Sequence, residues 1–188
     1  MKRILKTLST CLLLITLMHT PVFAAPKVQF TTDDLTSAFI YKISKFVIWP
    51  KNAFQSDTER LQVCFLSHQP KKLARHFEKF IGDKKVQNHL FSVYDVSGRD
   101  PVKQLIESAQ RCHIIYSLDA LQKDKLLLIK KNYSSSLIMG TGETFLRNGG
   151  MLSLIKVSKK FKIYINPISL KQSRIKLETR LLSVAKAI

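Results

Sequence analysis

The sequence predicts an α/β fold: one compact domain with a mixed, mostly parallel sheet flanked by helices, completed by a C-terminal β-hairpin and a closing helix. Three observations predict it. Short apolar runs of strand length alternate with segments whose apolar residues recur at helical spacing, the pattern of parallel strands joined by helical crossovers. Gly149-Gly150 opens two consecutive apolar runs separated only by Lys159-Lys160, which reads as an antiparallel hairpin. The 188 residues suit one domain with a real core, not two.

The elements follow in order. Thr31 with Asp33 and Asp34 marks a helix start, a hydroxyl cap followed by acids where the helix dipole favours them. Leu35, Ala38, Phe39, Ile43, Phe46 and Val47 then recur at helical spacing up to Pro50, which predicts a long amphipathic first helix. Val63 to Leu66 reads as a strand. After Pro70, the residues Leu73, Phe77, Phe80 and Ile81 define a helix stopped at Gly82, with Lys72, Arg75, His76 and Lys79 on its other face. A second strand is expected within Val86 to Val96, a helix from Pro101 to Ala109, and a third strand through His113, Ile114, Ile115 and Tyr116. A helical or mixed stretch spans Leu118 to Lys130, and Leu137 to Met139 forms a strand entering Gly140-Thr141-Gly142-Glu143. The hairpin runs Met151 to Val157 and Phe161 to Ile165, and Leu177, Leu181, Leu182 and Val184 mark the closing helix.

The first residues have another use. Met1-Lys2-Arg3, a run from Leu12 to Met18 that is apolar except for Thr16, and then Pro21 to Ala25 match the basic start, apolar centre and small-residue site of a secretory leader. Residues 1–24 are therefore expected to be a signal peptide cleaved between Ala24 and Ala25. The apolar run is much shorter than the roughly 20 residues of a spanning helix, so a membrane anchor fits less well. The expected location is the periplasm, with residues 25–188 as the working domain.

Loss of Lys2, Arg3 and Lys6 takes the formal charge from +18 to +15. A strongly basic balance fits nucleic acid, an anionic membrane surface or an acidic partner. Export and the lack of an aromatic-interleaved basic motif exclude nucleic acid as the expected partner. The lysines are dispersed in pairs, Lys71-Lys72, Lys84-Lys85, Lys130-Lys131 and Lys159-Lys160, as on a solubilising surface.

Cys11 leaves with the leader, and Cys64 and Cys112 remain, each in a short apolar stretch. In an oxidising compartment an even pair reads as a disulfide, the alternative being two buried thiols. The spacing of Cys and His offers no paired metal ligands, and His68 and His76 are eight residues apart rather than four. Gly140-Thr141-Gly142 lacks the rest of a phosphate loop and reads as tight turns or close backbone approach. No nucleophile-elbow pattern accompanies His68, His76, His89 or His113, so no enzyme, catalytic residue, cofactor or metal is expected. Phe46, Trp49 and Phe54, near a helix end, are candidates for a partner surface, against the simpler reading of core packing.

Several segments, in order, resemble the YfiR family of periplasmic proteins. They are Ala38 to Pro50 (AFIYKISKFVIWP), Val63-Cys64, Cys112 to Tyr116 (CHIIY), Gly142-Glu143-Thr144-Phe145, Gly149-Gly150-Met151, Ile163 to Asn166 and Ile175 to Ala185. Arg174 stands where the family usually has glycine, and Pro167 opens a segment that is commonly alanine-rich. The resemblance implies a compact α/β fold, with Cys64 and Cys112 at the family's half-cystine positions. It also implies a binding role: repression of a membrane-bound diguanylate cyclase through its periplasmic domain, which lowers cyclic di-GMP and biofilm formation. The implied partners are such a cyclase or a sensor kinase, with a homodimer as a further possibility. A periplasmic small-ligand-binding protein, with a cleft at the carboxyl ends of parallel strands, is the alternative.

Overall fold

The computed structural model describes residues 30–69, 72–158 and 160–188. The expected leader and the Ala24-Ala25 cleavage site lie outside these residues, as do Pro70, Lys71 and Lys159. From the N-terminus the elements are α1 (Thr32–Ser44), β1 (Val47–Ile48), β2 (Leu61–Ser67), α2 (Lys72–Ile81), β3 (Lys85–Val86), β4 (His89–Ser97), α3 (Pro101–Glu107) and β5 (Ile114–Ser117). They continue with α4 (Lys123–Asn132), β6 (Leu137–Thr141), α5 (Glu143–Arg147), β7 (Leu152–Val157), β8 (Lys160–Ile165), α6 (Pro167–Lys171), β9 (Lys176–Leu177), α7 (Thr179–Leu182) and β10 (Lys186–Ala187).

Helix α1 begins on the cap that the sequence announces. The Thr31 hydroxyl accepts the Asp34 N–H at 3.1 Å, and the Asp34 carboxylate accepts the Thr31 N–H at 2.8 Å. The Thr31 hydroxyl also donates to the Asp34 carboxylate at 2.7 Å, and this bond first, then the Thr31 N–H, holds the Asp34 carboxyl below the usual range. The helix ends at Ser44, earlier than its apolar periodicity implies. Val47 and Ile48 leave it to pair with Leu177 and Lys176 in a two-stranded antiparallel ribbon. In α2, Leu73, Ala74, Phe77 and Ile81 face inward, and Gly82 at φ +48° terminates the helix.

The main sheet has the order β10-β8-β7-β6-β5-β2-β4-β3. Five neighbours, β7, β6, β5, β2 and β4, run mutually parallel, while the β7–β8 hairpin and the small β3 edge are antiparallel. Their central strands read as continuous apolar runs because helices cover both faces. Leu61, Val63, Phe65, Ile114, Ile115, Leu137 and Ile138 are all fully buried. Right-handed crossovers place α2 on one face and α3 and α4 on the other. Accordingly α1 packs on α2, and α3 packs on α4.

The α/β fold with a mostly parallel sheet and a C-terminal hairpin is thus the observed one. The closing helix is present as a single turn, Thr179–Leu182. Leu177 and Leu181 are buried, whereas Leu182 and Val184 are exposed because β9 and β10 take up the chain on either side. Pro167 starts α6 at a position where its missing N–H is harmless, capped by Asn166, whose Oδ1 accepts the Ser169 N–H at 3.0 Å.

Candidate functional site

The segment between β1 and β2 folds back over the amino end of β5. A tight turn, with the Ala53 N–H on the Pro50 carbonyl at 2.8 Å, delivers Phe54 between two imidazoles. Its ring stacks on His89 at 3.8 Å and on His113 at 4.2 Å, nearly parallel to both. Trp49 stands edge-on to Phe54 at 6.0 Å and to His113 at 5.9 Å. Two of the three aromatics proposed as a partner surface therefore give much of their ring area to an internal stack, and each is half-buried. Phe46, also half-buried, lies apart from the stack at the α1–β1 junction, where its carbonyl accepts the Glu178 N–H at 2.9 Å.

His113 is fixed as the neutral tautomer. Its Nδ1 accepts the Gln62 N–H at 3.0 Å, so the proton sits on Nε2, which donates to the Ala53 carbonyl at 3.1 Å. Burial drives its pKa down to about 4, and the nearby Glu59 carboxylate, 3.9 Å away, only partly opposes this. Glu59 also accepts the Gln55 N–H and lies 3.5 Å from the Arg111 Nε. Arg111 in turn donates to the Ala53 carbonyl at 3.1 Å, and His89 Nδ1 donates to the Glu59 carbonyl at 2.6 Å. The Trp49 indole N–H is buried and has no partner among the described residues. Nothing in the sequence pattern singled out this Glu59–Arg111–His89 frame. Its members come from three separate segments, and none carries a local motif.

Immediately before His113, Cys112 is joined to Cys64 by a disulfide with Cα atoms 5.8 Å apart. Both cysteines are buried, so the bridge closes inside the core and ties the start of β5 to the middle of β2. An open, polar hollow of about 470 Å³ lies beside it, lined by Asn52, Gln110, Arg111 and the Tyr133–Ser136 turn.

A second concavity lies at the opposite, carboxyl end of the sheet. The chain runs outward from β2 to β4 and then returns to β5 on β2's other side, so β2 and β5 form a topological switch point. Open α/β sheets bind ligands at such points. A cleft of about 400 Å³ opens there between the starts of α1 and α2, lined by Thr32, Thr36, Lys72, Tyr116, Leu118 and Thr141. The Tyr116 phenol is buried, which raises its pKa above the usual value. At the same end, His68 meets Asp119, with 3.1 Å from its Nδ1 to the carboxylate. His76 Nε2 lies 2.9 Å from Asp34 Oδ1, close enough to attract though poorly aligned for a hydrogen bond. Among the described residues, no three His, Cys, Asp or Glu side chains converge as a metal site. No helix among them is long and apolar enough to cross a membrane.

The fold and these sites define a disulfide-stapled α/β domain built on a five-stranded parallel core. The chain belongs to the YfiR/HmsC-like family, whose model matches residues 33–186. Among solved structures it is similar to a conserved domain protein from Vibrio cholerae, with TM-score 0.57 and 12% identity over 85% of this chain and 60% of that one. It is also similar to the ABC domain in complex with L-Trp from Streptococcus pneumonia, with TM-score 0.51 and 8% identity over 68% of this chain and 56% of that one. At such identities the likeness is one of fold. The chain spans about 60% of the length of the first and somewhat less of the second. No curated protein matches it.

Proposed function

We propose that this chain is a periplasmic regulatory binding protein that represses an inner-membrane diguanylate cyclase, or a related sensor, by engaging its periplasmic domain. Repression of this kind lowers cyclic di-GMP and biofilm formation. The observation that carries the reading is the family match over residues 33–186, which takes in nearly every element of the domain. In this reading residues 1–24 are the export signal, cleaved after Ala24, and the domain works by contact rather than turnover. Trp49 and Phe54 contribute their exposed rims to the partner surface, and Phe46 adds a separate contact at the α1–β1 junction.

Crosslinking of the tagged protein in its host, followed by mass spectrometry, tests this. An attached inner-membrane protein with a diguanylate cyclase or sensor kinase domain is the expected result, and self-crosslinks alone would sink it. The switch-point cleft of about 400 Å³ favours a second reading, a periplasmic small-ligand-binding protein. A metabolite that occupies the native cleft raises the melting temperature, by more the further its concentration exceeds its Kd. A thermal-shift screen that finds such a compound, together with crosslinks only to itself, selects this reading.

A further inference from the structure

Helices α4 and α6 are laced together at one side of the sheet. The Arg174 N–H, just after α6, donates to the Ser134 carbonyl, just after α4, at 3.1 Å. Gly149 bridges them as well: its carbonyl accepts the Ser169 hydroxyl at 3.0 Å, and its α-carbon faces the Lys130 ammonium. Helix α4 already buries Leu126 and Ile129 completely, yet Leu127 stands 53% exposed on its outer face, while Leu128 turns to a groove shared with Asp100, Lys103 and Glu107. On α6, Ile168 is 70% exposed. A lone exposed aliphatic side chain is ordinary. Two on two laced helices, with cations around them, form a pattern.

The cations are Lys123, Lys130 and Lys131 on α4 and Lys171 and Arg174 on and after α6, and Asp124 is the single acid within residues 122–134 and 166–176. None of these five cations has a carboxylate partner among the described residues, whereas Lys103 and Lys125 nearby are paired with Glu107 at 3.6 Å and Asp100 at 2.6 Å. The Lys130 ammonium is disfavoured first by burial and then by repulsion from Lys123, a strain that an anion placed between them relieves.

We propose that this α4–α6 face docks the protein on an anionic lipid bilayer, with Leu127 and Ile168 reaching the acyl boundary and the five cations in the headgroup layer. Protruding aliphatic side chains ringed mainly by lysine suit a headgroup surface. Protein interfaces concentrate aromatic residues and arginine at their centres and are depleted in lysine, and this face carries no aromatic. Docking of this size is weak, reversible and salt-sensitive. It does not rest on the repressor reading, although it would bring the domain within reach of a membrane partner.

The test is co-sedimentation of the protein, recovered from its host with the N-terminus read by mass spectrometry, with phosphatidylcholine vesicles that contain or lack phosphatidylglycerol. Expected is binding to the anionic vesicles alone, weakened by salt. Two variants, Leu127→Ser/Ile168→Ser and Lys131→Gln/Lys171→Gln, should each bind at least about tenfold more weakly while melting like the parent. Equal binding to both vesicle types, or undiminished binding by either variant, overturns the proposal. So does absence of vesicle binding with charge-dependent retention on immobilised polyglutamate, which would assign the face to an acidic protein.

Discussion

Phe145 packs beneath two glycines, and the contact explains why each is glycine. A Cβ on Gly150 would lie 2.1 Å from the Phe145 ring, and one on Gly140 would lie 2.7 Å from it. Because Phe145 is fully buried, the ring has nowhere to go. Gly150→Ala should therefore destabilise the domain by about 1–3 kcal/mol, read as a lower denaturant midpoint at unchanged slope. Gly150→Ala/Phe145→Leu should lose less than the sum of its single changes, since the smaller side chain vacates the contested space. The sequence offered a turn or a close approach at Gly140 and only a hairpin start at Gly150, and it named the partner of neither. His113 supports a second prediction at this scale. Its folded-state pKa of about 4 is below its usual 6.5, so between these values the unfolded chain binds the proton and the folded one does not. Its contribution to stability is thus full above pH 6.5 and is lost as pH falls toward 4, by roughly 3 kcal/mol. Melting curves from pH 7 to 4 should show His113→Gln with a shallower decline than the parent, once the carboxylates common to both are subtracted. Parallel declines would place the proton elsewhere.

Among the elements, the disulfide joins β2 to the residue before His113 across a sequence separation of 48. Chain-entropy arithmetic for a loop of that size gives about 4 kcal/mol, a large share of a domain's net stability. Cys64→Ser/Cys112→Ser should show that loss in equilibrium unfolding, and a loss below about 1 kcal/mol would mean that core packing alone holds β5 beside β2. The strands and helices of the parallel core were readable because each carries its own periodicity: Leu73, Phe77 and Ile81 lie along one stripe of α2, and Ile114 and Ile115 in a continuous apolar run. The short elements were not. Val47 and Ile48 continue the spacing of α1, and only Lys176 and Leu177, about 130 residues away, draw them into a ribbon. The turn at Gln87 and Asn88, both at positive φ, likewise makes β3 a hairpin with β4 although no glycine marks it. The imidazole stack around Phe54 was hidden for the same reason. His89 and His113 look alike in sequence to any strand-end histidine, and only the fold brings both rings to one phenyl.

For the whole molecule, the two edges of the eight-stranded sheet decide how readily it pairs with another copy of itself. At one edge β3 has only two residues. At the other, β8 presents six residues, of which Tyr164 and Ile165 are covered by Lys186 and Ala187 in parallel pairing and by the Ile188 N–H on the Ile165 carbonyl at 3.0 Å. The rest of β8 carries Lys160 and Lys162, charges that discourage strand addition. The final segment therefore caps the Tyr164–Ile165 end of this edge, and the lysines guard the rest. Removing residues 186–188 should leave the core almost unchanged, because these residues are exposed, yet free the Tyr164–Ile165 backbone for pairing. Sedimentation velocity should then show concentration-dependent association in the truncated chain that the full chain lacks at the same salt and pH. Adding Lys162→Val to the truncation should enhance it by removing the neighbouring charge. If truncated and full chains sediment alike, with thermal unfolding also matched, the lysines alone protect the edge and β10 is a consequence of packing rather than a guard.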